Sequence, residues 1–385
     1  MRRDIDFKAD GVTLRGWMYK PNKGPKAFPT IIMAHGFSGV KEMGLDQYAD
    51  VFIENGFAVL VYDNRCLGSS GGQPRQDIDP TMQMRDYRSA ITFAQSQPEC
   101  DPERIGIWGT SYTGGTVCAV AALDKRVKAV VSQVPFMNGH RNLQQFLPIG
   151  AVDDFHQMLD KDRIGRVSGK KSKYVKMCSL DPEEPHVFPG EETYNYIHQF
   201  VDKDPECTWE NRVTVRSLEY MVEYDVTGYM KQISPTPLLM IVSAIDTTTP
   251  SDIALDLYNL VPGPKDLVVI NSNHYGAYTD FFYEQLTHEG EPEMPRFDGD
   301  IRTLWKHWIT RGWFDWEQEG YPFWSNMHHT QSYWDYKHLP NFLFLHYSDM
   351  LSDLPATVKR LAGFIDLPMS DDEIKALPVA DLARE

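Results

Sequence analysis

The chain has 385 residues, 42% of them hydrophobic and 12% aromatic, and a formal net charge of −16. A chain of this length and apolarity can bury one large core or two moderate ones. So acidic a balance excludes nucleic acid and anionic membrane surfaces as partners, and no apolar run is long enough to span a bilayer.

The N-terminus carries two arginines with no apolar segment behind them, so no secretory signal is read there. Strand-like runs follow at 12–18 and 30–34. The second ends in His35-Gly36-Phe37-Ser38-Gly39, a glycine-containing loop in which His35 reads as structural. An amphipathic stretch at 45–54 precedes a strand at 58–62, a Gly/Ser-rich loop that could expose Cys66, and a second amphipathic stretch at 81–95.

The apolar run 105–108 then breaks into Gly109-Thr110-Ser111-Tyr112-Thr113-Gly114, and a helix-compatible stretch runs from 115 to 123. Strand, tight turn and helix in this order form the setting of a nucleophile elbow. Glycine is needed at 109 because the turn leaves no room for a side chain. The Ser111 hydroxyl is pushed out above the sheet edge, and the helix behind it aims N–H groups at developing negative charge. The pattern departs from strict G-x-S-x-G: Thr113 stands where the second glycine is expected, and Gly114 follows. An oxyanion hole in such a site takes one N–H from the residue after the nucleophile, Tyr112, and one from the early glycine loop, Phe37.

A strand at 129–134 closes the first half. Residues 136–232 hold no strong buried strand. They read as a helical cap with pieces at 147–158, 193–200 and 213–224, in which Phe146, Tyr194, Tyr196, Trp209 and Tyr220 could line an acyl pocket or simply form cap core. Lys170, Lys171 and Lys173 read as a solvated loop. The buried strand 237–242 leads to Asp246, and the run 267–270 leads to His274. Asp252 and Asp280 compete for the acid's place but fall in helical stretches. Strands alternating with helices imply an α/β fold with a mostly parallel sheet, helices on both faces, and a site at the carboxyl ends of the strands. The order Ser111, Asp246, His274 is the one expected of an α/β-hydrolase.

These segments carry a resemblance. HGFSGVKE from His35, YDNRCLGSSGGQPRQDIDP from Tyr62, DPERIGIWGTSYTGG from Asp101, VVSQVPF from Val130 and ISPTPLLMIV from Ile233 resemble the α/β-hydrolases grouped with fungal polyketide transferases and the Xaa-Pro dipeptidyl-peptidase-like hydrolases. The resemblance covers about residues 1–285. It implies serine-dependent ester or thioester chemistry, with Ser111, Asp246 and His274 on the triad positions. Two departures stand out: Asn64 and Cys66 replace the usual histidine and an aromatic or small residue, and Asn273 replaces a glycine before the histidine.

The resulting organisation is a hydrolase core at 1–135 and 233–286, a helical cap at 136–232, a linker at 287–300, and a tail at 301–385. The tail resembles the last third of a sulfotransferase, with a strand at 342–346 and a helix at 354–364. It lacks the P-K-[ST]-G-T phosphosulfate loop and the donor segment of that family. Residues 301–308 could close the hydrolase as its last helix. His328 and His329 are adjacent and cannot face one metal from a helix or strand. Five cysteines, widely spaced and without a C-x-x-C pair, point to reduced thiols in a cytoplasmic protein. Neither metal nor cofactor is expected.

The leading expectation is a serine hydrolase cleaving an ester, thioester or amide through an acyl-enzyme. An acyltransferase using an alcohol or amine acceptor shares the same triad, and a non-catalytic binding protein on a hydrolase fold is the third reading. The expected partner is a small-molecule acyl substrate, with self-association left open.

Overall fold

The computed structural model describes residues 2–147, 149–181, 183–188, 190–280, 354–364 and 370. The chain divides into two units, Met1–Gly290 and Glu291–Glu385.

In chain order the first unit holds β1 (Arg2–Ala9), β2 (Val12–Tyr19), β3 (Phe28–Ala34), α1 (Leu45–Glu54), β4 (Ala58–Tyr62), α2 (Pro80–Gln95), β5 (Cys100–Thr110), α3 (Tyr112–Leu123) and β6 (Val127–Gln133). Between β6 and the next strand of the main sheet lie α4 (Gly139–Phe146), α5 (Val152–Val167), β7 (Tyr174–Cys178), β8 (His186–Phe188), α6 (Glu191–Val201), β9 (Val213–Thr214), α7 (Val215–Glu223) and α8 (Thr227–Met230). The chain then returns to the core through β10 (Leu238–Ser243), α9 (Ser251–Asn259), β11 (Lys265–Ile270) and α10 (Gly276–Asp280).

The main sheet has eight strands in the order β1-β2-β4-β3-β5-β6-β10-β11. β1 and β2 form an antiparallel hairpin, β2 runs antiparallel to β4, and the remaining pairings are parallel. Alternation along the central strands divides the core between two faces. Met33, Val59 and Val61 pack with Leu45, Tyr48 and Ala49 of α1. Their neighbours Ile32, Leu60 and Tyr62 pack on the other face with Tyr87 of α2 and Val117 of α3. β4 is buried at all five positions, as expected of a strand covered on both sides. α2 begins where Asp79 accepts a hydrogen bond from the Met82 N–H at 3.1 Å, with Pro80 at the first helical position, a strong start signal. Register aligns the strand ends: Thr110 lies opposite Gln133, Gln133 opposite Ile241, and Ser243 opposite Ile270. The residues that follow β5, β10 and β11 therefore emerge along one edge.

Three differences from the sequence reading have physical causes. β1 was not expected, because charged residues interrupt it. Its buried positions nonetheless alternate as Ile5, Phe7 and Ala9. The region 136–232 is not wholly helical, since β7, β8 and β9 form a small sheet in the order β8-β7-β9; strands of two to five residues leave almost no periodic signal. The helix expected at 147–158 instead runs Val152–Val167. Leu147 has extended backbone, φ −92° and ψ 134°, because a residue before proline is driven out of the helical region.

In the second unit the helix α11 (Leu354–Phe364) matches the expected 354–364. The expected linker 287–300, closing helix 301–308, strand 342–346 and the His328–His329 pair lie outside the described residues. Among those described, no helix is long and apolar enough to cross a membrane.

Candidate active site

β5 ends at Thr110 and α3 begins at Tyr112, leaving one residue, Ser111, to make the turn. Its backbone is left-handed, φ 52° and ψ −121°, a costly conformation for a residue with a side chain. Main-chain bonds hold it there. The Ser111 N–H donates to Gln133 at 2.9 Å, and its carbonyl accepts from the N–H groups of Gly114 at 2.9 Å and Phe136 at 2.8 Å. A Cβ on Gly109 would lie 2.4 Å from the Thr113 carbonyl oxygen, so only glycine fits that position.

The structure brings Ser111, Asp246 and His274 together from three strand ends. His274 Nε2 lies 3.2 Å from Ser111 Oγ, and His274 Nδ1 lies 2.7 Å from Asp246 Oδ2. Asp246 and His274 are both buried. Asp246 is itself fixed by the turn it starts. Its Oδ1 accepts from the N–H groups of Thr248 at 2.9 Å and Thr249 at 2.7 Å, and its Oδ2 accepts from the Thr249 hydroxyl at 2.9 Å. The Thr249 hydroxyl also lies 2.9 Å from the Val134 carbonyl and 3.1 Å from His274 Nδ1. Thr248 and Thr249 were missed in the sequence, although Asp followed by Thr-Thr-Thr is a recognisable side-chain-to-backbone turn. Of the competing acids, Asp252 stands apart, accepting from Gln145 on α4 at 3.0 Å; the backbone of Asp280 ends α10.

The glycine loop lies against the serine: a Cβ on Gly36 would come 2.9 Å from Ser111 Cβ and 3.4 Å from Ser111 Oγ. The Phe37 N–H makes no main-chain hydrogen bond among the described residues. Tyr112 is the first residue of α3, so its N–H has no intrahelical acceptor. His35 anchors the loop as a buried imidazole, its Nε2 2.9 Å from the Met43 carbonyl, and burial pushes its pKa down to about 4. The His35 carbonyl accepts from the Thr113 hydroxyl and from the Asn64 amide at 3.4 Å. Ser38, at φ 60°, accepts from the Trp209 indole N–H at 3.1 Å, and Thr208 donates to Glu42 at 3.0 Å, so the loop before β9 holds the glycine loop. Asn273 accepts from the Gly276 N–H at 2.6 Å, which gives that departure a role in the turn carrying His274.

A cavity at the serine and histidine is lined by Met177, Phe188, Thr193, Tyr196, Ile197 and Trp209 from the 136–232 segment and by Tyr275 and Tyr278 beside His274. Burial raises the hydroxyls of Tyr196, Tyr275 and Tyr278 above their ordinary range, so this wall is uncharged. Of the aromatics singled out in the sequence, Tyr196 and Trp209 line this cavity. Tyr194 stacks on His198 and Tyr220 packs against Arg216. Phe188 went unnoticed because it stands alone in a Pro-rich loop sequence. Cys66 is buried, contrary to the expectation of exposure. Its N–H is bound to the Gly71 carbonyl, which folds the loop inward, and burial raises its thiol to about 11.

Comparison with known proteins agrees with this architecture. Residues 10–276 match the model of the X-Pro dipeptidyl-peptidase (S15) family, and residues 274–378 match a sulfotransferase domain model. The chain is 31% identical to the thiohydrolase aneE of Aspergillus aculeatus over 293 residues, which is 73% of this chain and 89% of that one. It is 30% identical to the polyketide transferase af380 of Aspergillus fumigatus over 69% of this chain and 87% of that one. The crystal structure of the α/β-hydrolase GrgF from Penicillium sp. sh18 superposes with a TM-score of 0.61 at 27% identity, covering 74% of this chain and 96% of that one. Sheet order, strand-end geometry and these matches together make the chain an enzyme of the α/β-hydrolase fold that belongs to the X-Pro dipeptidyl-peptidase (S15) family.

Proposed function

We propose that the enzyme hydrolyses esters or thioesters through an acyl-enzyme on Ser111. One observation carries the reading: His274 stands 3.2 Å from Ser111 Oγ and 2.7 Å from Asp246 Oδ2, the nucleophile–base–orienter geometry of a triad. Ser111 Oγ attacks the acyl carbonyl as its proton passes to His274 Nε2. The N–H groups of Phe37 and Tyr112 bind the oxyanion. The carbon–oxygen or carbon–sulfur bond breaks, and His274 returns the proton to the leaving alcohol or thiol. A water molecule then repeats the sequence in reverse and releases the acid.

The cavity supports an acyl rather than a dipeptide substrate. Among its described lining residues there is no carboxylate to pair with a peptide's terminal ammonium, the group such a substrate presents for charge-assisted recognition. The relatives named thiohydrolase and polyketide transferase support thioester donors. They also support the second reading, in which an alcohol or amine acceptor replaces water. Residues 1–135 and 233–286 serve as the core, 136–232 as the cap, and 301–385 as an appended fragment without sulfonate transfer. The test is a screen with p-nitrophenyl esters and acyl thioesters, with and without an alcohol acceptor, alongside fluorophosphonate labelling of Ser111. Absence of labelling and of turnover overturns the reading, and an acyl-alcohol product selects transfer.

A further inference from the structure

A second cavity, of about 140 Å³, lies in the cap region. Its apolar walls include Leu143 and Phe146 of α4, Phe155 and Met158 of α5, and Leu218 and Met221 of α7. Its two most polar lining side chains are each tied by one atom: the Asn142 amide donates to the Thr248 carbonyl at 3.1 Å, and His186 Nδ1 lies 2.6 Å from the Glu184 carbonyl. No charged side chain lines it among the described residues. A cavity lined in this way offers few convergent polar groups to hold a polar ligand or an ordered water. The chemistry it offers is that of a hydrocarbon site.

Phe188 connects this cavity to the catalytic one, since it lines both. Its ring meets Phe37 edge to face at 6.1 Å on one side and Phe146 at 5.8 Å on the other. Phe188 ends β8, a strand of three residues that pairs with β7 at only two positions, so little main-chain bonding fixes it. Met158 and Met221 give the walls adaptable shape.

We infer that this cavity receives the hydrocarbon end of the acyl group, an unbranched alkyl chain that passes Phe188 while its carbonyl lies at Ser111. The inference rests on the acyl-enzyme reading and adds a substrate class to it: medium-chain acyl donors over acetyl donors. A chain that reaches this cavity from Ser111 must pass the Phe188 ring, which lines both cavities, and a linear chain does so with less displacement of that ring than a polycyclic one.

Two measurements test it. The first compares kcat/KM for p-nitrophenyl acetate and octanoate in the full chain and in the cavity-filling variants Met158→Trp and Met221→Phe. Octanoate is expected to exceed acetate at least about tenfold in the parent, and filling is expected to remove that preference while acetate stays within about twofold, as for a hydrophobic pocket that has lost its methylene contacts. Phe188→Ala is expected to shift preference toward longer or bulkier acyl groups. The second uses calorimetry with octanoate on Ser111→Ala, alone and combined with Met158→Trp, and needs no turnover. Binding that weakens about tenfold on filling supports the site. Unchanged ester selectivity in the filled and Phe188→Ala variants, or octanoate binding that is absent or indifferent to filling, overturns it. Octanoate binding without turnover or fluorophosphonate labelling would instead remove the Ser111 reading and leave the hydrocarbon site standing.

Discussion

Thr113 donates its hydroxyl hydrogen to the carbonyl of His35, tying the first turn of α3 to the loop that carries Phe37. This bond accounts for the departure from G-x-S-x-G. The backbone tolerates a side chain at 113, and its hydroxyl reaches the glycine loop. Close approach is instead provided by Gly114, where a Cβ would lie 3.0 Å from the Gln133 carbonyl, and by Gly115, where one would lie 2.2 Å from that of Phe136.

Thr113→Val preserves the shape and removes that donor, leaving the His35 carbonyl the longer bond from Asn64. The expected loss of stability is about 1 kcal/mol, the usual worth of one buried neutral hydrogen bond. Turnover of p-nitrophenyl acetate is expected to fall about tenfold as the Phe37 N–H loses its fixed position. Thermal melting and kcat check both. An unchanged kcat alongside a lowered melting temperature would confine Thr113 to a structural role.

Ser111→Ala and His274→Ala are each expected to cost about 10⁴-fold or more in kcat, and the double variant hardly more, because the residues act as one unit. Asp246→Asn is expected to cost somewhat less, and Asp252→Asn nothing, since Asp252 faces Gln145. Thr249→Val keeps the turn N–H but removes the hydroxyl shared by Asp246, His274 and Val134, and about a tenfold loss is expected from a poorly oriented imidazole. Kinetics on a short ester rank these variants. A crippled Asp252→Asn beside an active Asp246→Asn would transfer the acid's role.

The placement of Ser111, Asp246 and His274 at strand ends was legible because each follows an apolar run, although only Ile270 of the last strand is buried, and strand ends in a parallel sheet converge on one edge. Gly109 was legible because a tight turn leaves a compositional mark. What supports those residues was not. Thr249 and Trp209 act through side-chain hydrogen bonds to segments 25 to 171 residues away, and Asn273 acts within one turn; such bonds have no periodicity. The small sheet β8-β7-β9 escaped for a related reason. β9 is two residues long, and its Thr214 N–H is bound to the Gln76 carbonyl in the core region, so it forms by tertiary contact rather than local propensity.

The C-terminal tail is expected not to bind a sulfonate donor, despite the sulfotransferase domain match at 274–378. Phosphosulfate recognition needs clustered N–H groups and cations. The sequence from 301 onward offers mainly tryptophans, histidines and acids, its lysines and arginines are scattered, and it has no P-K-[ST]-G-T loop that would cluster such donors. Calorimetry with adenosine 3′,5′-bisphosphate is expected to show no heat, and micromolar binding would refute this.

His35 links stability to pH. In the folded protein its pKa is pushed down to about 4 by burial, against an ordinary value of 6.5. Above 6.5 the imidazole is neutral in both folded and unfolded chains, and the stability is fully present. Between 6.5 and 4 the unfolded chain takes up a proton that the folded chain refuses, so stability falls with pH across that window. The whole fall amounts to about 3 kcal/mol for this one group. His35→Gln keeps an amide donor for the Met43 carbonyl and cannot titrate. The parent is expected to outlast the variant at pH 7.5 because the glutamine fits less well, and its advantage is expected to shrink steadily toward pH 5. Urea midpoints at several pH values give the difference directly, and subtracting the variant cancels the carboxylates that titrate in both. A constant difference across that range would mean that His35 accepts a proton in place. Its bond to Met43 would then have to survive as a charged one.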